Sequence, residues 1–489
     1  MSIDGKNFKT IIEGKDVVVV GGGPAGIGAA IAASRAGCST ILVERYQYLG
    51  GMLTGSLIGS WMAKWRSHKG RKSIVSPETN YSNVQTIKGI AQEMIDRLMK
   101  IGAAYGEPGK ASMSVLGDPE IMKFVLDEMV LEAGVELMLD TNFCDLLLEG
   151  QLIKGVIVAN KSGIHLIKSK IFIDASGDGD LAALAGIPYV KGRESDGRTM
   201  PVSLAFVLGN VNLERTIEYL KDKPGELDMG TYEDAKRLYH EGKPIDLLGF
   251  RELLNRAHEN GDFPLASGAK NPIPIFCIMP VLKDGKYIKN MTLHIIDMAY
   301  NVDATDASQL TASYIAVRKR LVVLLSVIKK YIPGYENSFL VYSGSQLGVR
   351  ESRRFIGEYF LTKDDLLASK KFDDAIASCG GTMNIHSEVG GTVREVSGGR
   401  VYDVIEEPFQ IPYRCLISKK IDNLLIAGRC ISIDRPALGS LRSTSVCMAL
   451  GQAAGTGAAI SVETGKNPRK IDIKRLRQDL LNQNVMIAD

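Results

Sequence analysis

Apolar and polar positions alternate with different periods along this chain, and the changes of period mark its elements. Residues 17–20 read VVVV, a continuous β-branched run suited to a strand buried on both faces. It runs into GGGPAG, after which the Ala- and Ile-rich stretch from Ile27 to Ala36 reads as a helix stopped by Gly37. A second buried strand is expected from Thr40 to Val43 and ends at Glu44. Strand, glycine turn, helix and strand within about thirty residues make a βαβ unit with a right-handed crossover.

Residues 61–84 are polar and irregular and predict an exposed loop. Helical periodicity returns over 88–101 and 119–133, the second opening after Asp118-Pro119 with acids in its first turn. Val135 to Leu139 reads as a third parallel strand. Apolar runs between 143 and 173, split by Glu149-Gly150 and Ser162-Gly163, predict a β-meander. From about 190 to 345 the pattern changes to charged helical segments, a Pro-rich stretch at 271–280, the strand-like MTLHIID and a helix over 307–330. That shift predicts an inserted domain. NLLIAG at 423–428 and a small-residue helix over about 443–461 return to the style of the first part.

Composition mostly excludes. Charges nearly cancel, 59 Lys and Arg against 56 Asp and Glu for a net +3, with no dense basic tract. No nucleic-acid partner is expected. Seven cysteines are scattered without a CxxC pair, which predicts reduced thiols and neither a disulfide framework nor a metal site. The first 16 residues hold no signal-peptide core, and the most apolar stretch, Val446 to Ile460, is short and broken by Gln452 and three glycines. No membrane span and a cytoplasmic location are therefore expected. The exception is glycine, at 51 of 489 residues, above a typical usage of about 7%.

Its clusters have addresses. Gly21, Gly23 and Gly26, with Pro24 and Ala25 between the last two, form GxGxxG directly after a strand and before a helix. The first glycine permits the tight turn, the second lets a pyrophosphate approach the backbone, and the third lets helix and strand pack closely. The helix N-terminus then directs N–H groups and its dipole at the phosphates. Glu44 lies 23 residues beyond Gly21, where a carboxylate accepts the ribose hydroxyls and disfavours a 2′-phosphate. Arg45 and then Gly50, Gly51 and Met52 carry the pattern past the second strand, as a flavin site requires and a nicotinamide site does not.

The chain resembles the glutathione-reductase-type FAD fold and, more narrowly, the FAD-dependent oxidoreductase family related to the fumarate reductase flavoproteins. Beyond the N-terminal fingerprint, the resemblance rests on FIDASGDGDLAALAG at 172–186, with Ser176 replacing the usual Thr, and on GRESDGRTMPVSLAF at 192–206. It continues through LGVRESRRFIGEYFLTKDD at 347–365, NIH at 384–386, IPYRCLISKKIDNLLIAGRCIS at 411–432 and ALGSLRSTSVCMALGQAAG at 437–455. It implies an α/β fold: a Rossmann-like FAD-binding domain of parallel sheet plus β-meander over 1–190 and 346–489, with an α+β substrate domain inserted at 191–345. It further implies that Ala175, Ser176 and Gly177 approach the pyrophosphate and that Gly428 and Arg429 lie along the ribityl chain. The backbone of Cys144 is then an adenine contact. A helix starting near Ser440 to Ser443, with Leu441 and Arg442 at its approach, is implied to point its N-terminus at the flavin pyrimidine ring. No His or Cys falls between Gly50 and Trp65, so FAD is expected to be non-covalent. The cluster Trp61, Lys64, Trp65 and Arg66 departs from the family pattern.

Flavin carries the electron chemistry, which leaves the protein orientation, charge and proton transfer. Arg350 and Arg354 of RESRR are candidates to clamp a carboxylate or steady an oxyanion, against the alternative of a structural ion-pair network. His386 is a candidate acid or base, and Arg435 a candidate substrate contact. His294 and Asp297 read as packing or hydrogen-bonding groups. Cys430 and Cys447 lack disulfide-reductase spacing and read as buried small residues. The expected function is an FAD-dependent dehydrogenase or reductase moving a hydride between a small organic substrate and FAD. The alternatives are a flavin monooxygenase or halogenase on the same fold, against which stand only two tryptophans, and a non-catalytic flavin-binding protein. A small-molecule substrate is the expected partner, and homo-oligomerisation stays open.

Overall fold

The computed structural model describes residues 2–3, 6–61, 64–66, 83–106, 115–229, 231–266, 269, 276–283, 286–380, 383–386, 405 and 407–487. A seven-stranded sheet runs in the order 136–138, 40–43, 10–20, 163–174, 152–160, 142–149, with 424–426 pairing beside 163–174. The pairings from Glu136–Met138 through Thr40–Val43 and Thr10–Val20 to Gly163–Asp174 are parallel, as is that of Leu424–Ile426. The three strands from 142 to 174 form the antiparallel meander. Val17 to Val19 are fully buried, as a strand covered on both faces must be. The first strand begins seven residues before the VVVV run, because residues from Thr10 onward pair with His165 and its neighbours although none of those seven is buried.

The helix Pro24–Arg35 starts at once after Gly23, with Pro at its first position and the positive φ of Gly37 behind it. It lies against the long helix Thr444–Thr464 so closely that a Cβ on Gly451 would meet the Ala25 carbonyl oxygen at 1.9 Å, and one on Gly455 that of Ala29 at 2.2 Å. Those glycines explain the small-residue pattern. By length and apolarity Thr444–Thr464 could cross a membrane, and it is longer than the interrupted run suggests. It is 94% buried inside the fold and serves as a core helix. It is also preceded by a separate helix, Arg435–Leu441, where the small-residue pattern places the approach to a single one.

Strands from 202–343 form a second, six-stranded antiparallel sheet in the order 227–229, 247–249, 276–283, 286–299, 202–209, 339–343. The 25-residue helix Ala307–Tyr331 packs on it over a separate apolar core. The expected loop at 61–84 is bounded by short strands at Ser60–Trp61, Lys64–Arg66 and Asn83–Gln85. Residues 62–63 and 67–82, and the side chains of Trp61, Lys64, Trp65 and Arg66, lie outside what is described, as does the side chain of Asp297.

His294 sits at the centre of the second core, stacked on Phe276 at 4.6 Å and Phe206 at 5.1 Å. Its Nδ1 faces the Cys277 carbonyl at 2.9 Å and must carry the proton, so Nε2 accepts from Thr292 Oγ1 at 2.8 Å. Burial pushes the imidazole pKa down to about 3, against about 6.5 in an unfolded chain. The unfolded chain therefore binds the extra proton between those values. Stability should be fully present above pH of about 6.5 and fall by about 1.4 kcal/mol per pH unit below it. Thermal unfolding across pH checks this: His294→Leu is expected to be less stable at pH about 8 yet to lose one proton's worth of acid slope. An unchanged slope would remove His294 from the account.

Candidate functional site

The two sheets enclose a cavity of about 490 Å³ where the glycine clusters converge. Its floor is the first βα turn. Gly21 has φ +103°, and a Cβ there would lie 2.5 Å from the Ala175 carbonyl oxygen; one on Gly26 would lie 1.7 Å from that of Gly21. Gly23 differs. It has φ −74°, nothing lies within 4 Å of the position of its missing Cβ, and it lines the cavity. Two glycines are thus required by the protein's own packing, and one leaves bare backbone toward a ligand. That is the division of labour a pyrophosphate site calls for.

Glu44 lines the cavity at 5% exposure. Its two oxygens accept the backbone N–H of Gly22 at 2.5 Å and of Tyr46 at 2.9 Å. Burial raises its pKa, and those two donors oppose the rise. Each oxygen keeps a further lone pair for a hydroxyl group.

The DASGDGD turn forms the next wall. Asp174, with no exposure, accepts from Ser176 Oγ at 2.7 Å and from the Ala182 N–H at 2.8 Å, and burial pushes its carboxyl up to about 6. Ser176 Oγ accepts in turn from Asp180 N–H at 2.9 Å, so serine supplies every hydrogen bond this turn draws from a hydroxyl. Arg429 staples the turn: its Nε donates to Gly177 O at 3.0 Å, one Nη to Asp178 Oδ1 at 2.5 Å and the other to Val349 O.

The far end is made by the first turn of helix 444–464, with Ser443 as its extended cap, and by Ser440, Arg442 and Asn384. Arg442 donates to Asn384 O at 2.8 Å. Ser440 Oγ is buried without a hydrogen-bond partner, an arrangement a ligand with polar edges completes. The loop 346–350 closes the cavity opposite. Together the bare backbone at Gly23, the ribose-type acceptor and the unpartnered hydroxyl beside a helix N-terminus fit a dinucleotide with a polar ring system.

Of the residues singled out from sequence, Gly21, Gly23, Pro24, Ala25, Glu44, Arg45, Gly51, Met52, Ala175, Ser176, Gly177, Gly428, Arg429, Arg442 and Arg350 come together around this cavity. Gly26, Gly50 and Leu441 are not among its lining residues, and Leu441 is buried. Cys144 lies outside the lining, on the exposed meander. Arg354 and Arg435 are turned away: both engage Glu351, whose side chain is fully buried, Arg435 at 3.0 Å and Arg354 at 3.5 Å. The Glu351 carboxylate also takes the Met200 N–H at 2.6 Å. For these two the ion-pair network is the arrangement observed. His386 falls outside the lining, which takes Asn384 from the same segment. Cys447 lines the cavity and Cys430 does not; burial pushes the Cys447 thiol up to about 12, away from thiolate chemistry. Sequence reasoning missed Ser203, Tyr314, Gln346 and Cys379, which line the cavity from elements remote in sequence. Among the described residues no cluster of three or more His, Cys, Asp or Glu is placed to hold a metal ion.

The profile of the family described as FAD dependent oxidoreductase matches residues 16–480. A thiamine thiazole synthase from Aeropyrum pernix is 29% identical over 143 residues, 29% of this chain and 43% of that protein. A digeranylgeranylglycerophospholipid reductase from Methanopyrus kandleri is 30% identical over 183 residues, 36% of this chain and 41% of that protein. The chain thus spans less than half the length of these curated relatives. Among solved structures, a geranylgeranyl bacteriochlorophyll reductase-like protein from Thermoplasma acidophilum aligns over 99% of this chain and 89% of its own, at 13% identity and a TM-score of 0.45.

Proposed function

Because the chain belongs to the FAD dependent oxidoreductase family, we propose that it is a dehydrogenase or reductase in which a hydride passes between a carbon of a small organic substrate and non-covalently held FAD. One observation carries this reading: the first turn of the 21-residue helix Thr444–Thr464 and Arg442 meet at one end of the cavity and make it a positive pole. Bound FAD supplies the two-electron acceptor, and a positive pole favours its reduced, anionic form. The other residues bind and enclose. Glu44 accepts from the ribose, Gly23 gives the pyrophosphate access to backbone, and the loop 346–350 with Ser203 and Leu310 excludes water from the reacting end. All seven cysteines are free thiols, which supports a reducing, cytoplasmic setting.

The test is an anaerobic screen for small molecules that bleach the bound flavin. The expected result is stoichiometric bleaching by an oxidisable compound, a product free of labelled oxygen when the same compound is then turned over under labelled dioxygen, and flavin released intact by denaturation. Labelled oxygen in the product would overturn hydride transfer in favour of a monooxygenase, and flavin that stays with the denatured chain would overturn the non-covalent site.

A further inference from the structure

Two passages of chain join the two large sheets. Met200 belongs to the core on one side of the first sheet and Val202 to the core of the second; on the way back, Leu347 belongs to the second core and Phe355 packs on the first sheet again. The passages run side by side and antiparallel. The Ser203 N–H donates to Gly348 O at 3.3 Å, the Gly348 N–H to Ser203 O at 2.7 Å, and Arg350 Nη1 to Pro201 O at 2.6 Å. Glu351 ends this pairing with its side chain, whose Oε1 accepts the Met200 N–H at 2.6 Å.

The same carboxylate reaches a third element. It has no exposure, and its two oxygens accept from Arg435 Nε at 3.1 and 3.0 Å. Arg435 opens the helix Arg435–Leu441, whose Gly439 and Ser440 line the cavity at the end opposite the loop 346–350. Arg354, the other guanidinium beside Glu351, is held differently. It makes an ion pair at 3.5 Å, its Nε and Nη1 have no hydrogen bond among the described residues, and its Nη2 donates to Gly192 O at 2.8 Å, outside that helix. Other anchors of the loop also go elsewhere: the Gln346 N–H to Gly55 O at 3.1 Å, and Val349 O to Arg429.

From this geometry we propose that Glu351 is a positioning residue for the cavity: through Arg435 its buried carboxylate fixes the loop 346–350 against the helix Arg435–Leu441 and sets how far these two walls stand apart. Charge-assisted hydrogen bonds at such distances are strong and directional, so one carboxylate can hold both chain passages and the helix in a single arrangement. This goes beyond the hydride-transfer reading and holds whatever ligand fills the cavity.

Buried thiols read the spacing. Cys379 and Cys447 line the cavity and sit against the end of that helix, their Sγ atoms 3.9 Å from Ser440 O and 3.8 Å from Leu441 O. Burial pushes both thiols up to about 12, far from the thiolate that alkylation requires. Cys415 and Cys430 are as deeply buried but lie outside the lining. Water admitted between the walls should therefore activate the cavity pair alone.

The experiment alkylates the protein with iodoacetamide, FAD in excess throughout, and follows each cysteine by peptide mass spectrometry, with exposed Cys144 as the reference. Arg435→Gln is expected to label Cys379 and Cys447 at least about tenfold faster than the wild type, with Cys415 and Cys430 unchanged. Arg354→Gln takes an equal charge from Glu351 but leaves the tie to the helix, so any rise there should be shared by Cys415 and Cys430. Arg435→Lys keeps the charge without the guanidinium and should show a smaller selective rise; it is read alone if the glutamine variant does not fold. Wild-type labelling of the cavity pair in the Arg435 variants, a rise shared equally with Cys415 and Cys430, or the same selective rise in Arg354→Gln would each overturn the proposal. Labelling needs neither substrate nor turnover, so a failure of the hydride-transfer reading leaves this result unaffected.

Discussion

Glu44→Ala is expected to lose its FAD during purification. The carboxylate is 5% exposed and does two things at once: it accepts the N–H groups of Gly22 and Tyr46, and it faces the cavity. Alanine removes the acceptor proposed for the ribose and leaves both backbone donors without their partner. Hydrogen bonds to a charged group are worth about 1.5–3 kcal/mol each, so two lost ribose contacts weaken FAD by about 10²–10⁴-fold. Flavin absorbance per protein chain after gel filtration, followed by reconstitution with added FAD, reads this directly. Glu44→Gln keeps one acceptor oxygen and should fall between. The wild-type protein should also hold FAD less tightly as pH falls, because burial raises the Glu44 pKa and the protonated acid accepts less well. Full retention of the yellow cofactor in Glu44→Ala would remove Glu44 from the ribose.

Where burial is complete, the residues announce their elements. Val17 to Val20 and Thr40 to Val43 are buried throughout and can be read from their apolar runs; the helix starting at Pro119 can be read from the Asp118 cap, which accepts the Glu120 N–H. The first half of strand Thr10–Val20 cannot, because none of its residues is buried, Glu13, Lys15 and Asp16 interrupt any apolar run, and its partner is the strand 163–174, far along the chain. The break between Arg435–Leu441 and Thr444–Thr464 is hidden for another reason: small residues run through it, and only the extended backbone of Ser443, φ −66° and ψ 144°, separates the helices.

The site divides in the same way. Glycines at tight turns leave a signature because no other residue fits, so the wall of the cavity built from Gly21, Gly23 and their neighbours can be read from the chain. The wall opposite cannot. Arg350, Arg354 and Arg435 have identical chemistry, and only the buried position of Glu351 decides that two of them turn inward to it while Arg350 reaches the cavity. Ser203 is one serine in an otherwise apolar strand until Gly348 is placed against it.

Glycines 23 and 26 offer the sharpest separation of folding from binding. In Gly26→Ala the new methyl would sit 1.7 Å from the carbonyl oxygen of Gly21. That oxygen is main chain, held in the turn at the strand end, and it cannot step aside without opening the βα unit. The expected cost is about 3 kcal/mol or more, seen as a large drop in Tm even with FAD in excess. Gly23→Ala should do the reverse. Its φ of −74° suits alanine, and beyond the adjoining chain nothing lies within 4 Å of the added carbon. The apo protein should then be as stable as the parent or more so by about 0.4–1 kcal/mol, since alanine restricts the unfolded chain. The same methyl, however, stands in the space that the proposed pyrophosphate site needs for bare backbone, so FAD affinity should fall by at least about tenfold. Thermal unfolding of the apo forms and FAD titration of each variant separate the two effects. A Gly23→Ala protein that binds FAD normally would show that the cofactor does not pass over this turn, and a stable Gly26→Ala protein would show that the close approach to Gly21 is dispensable.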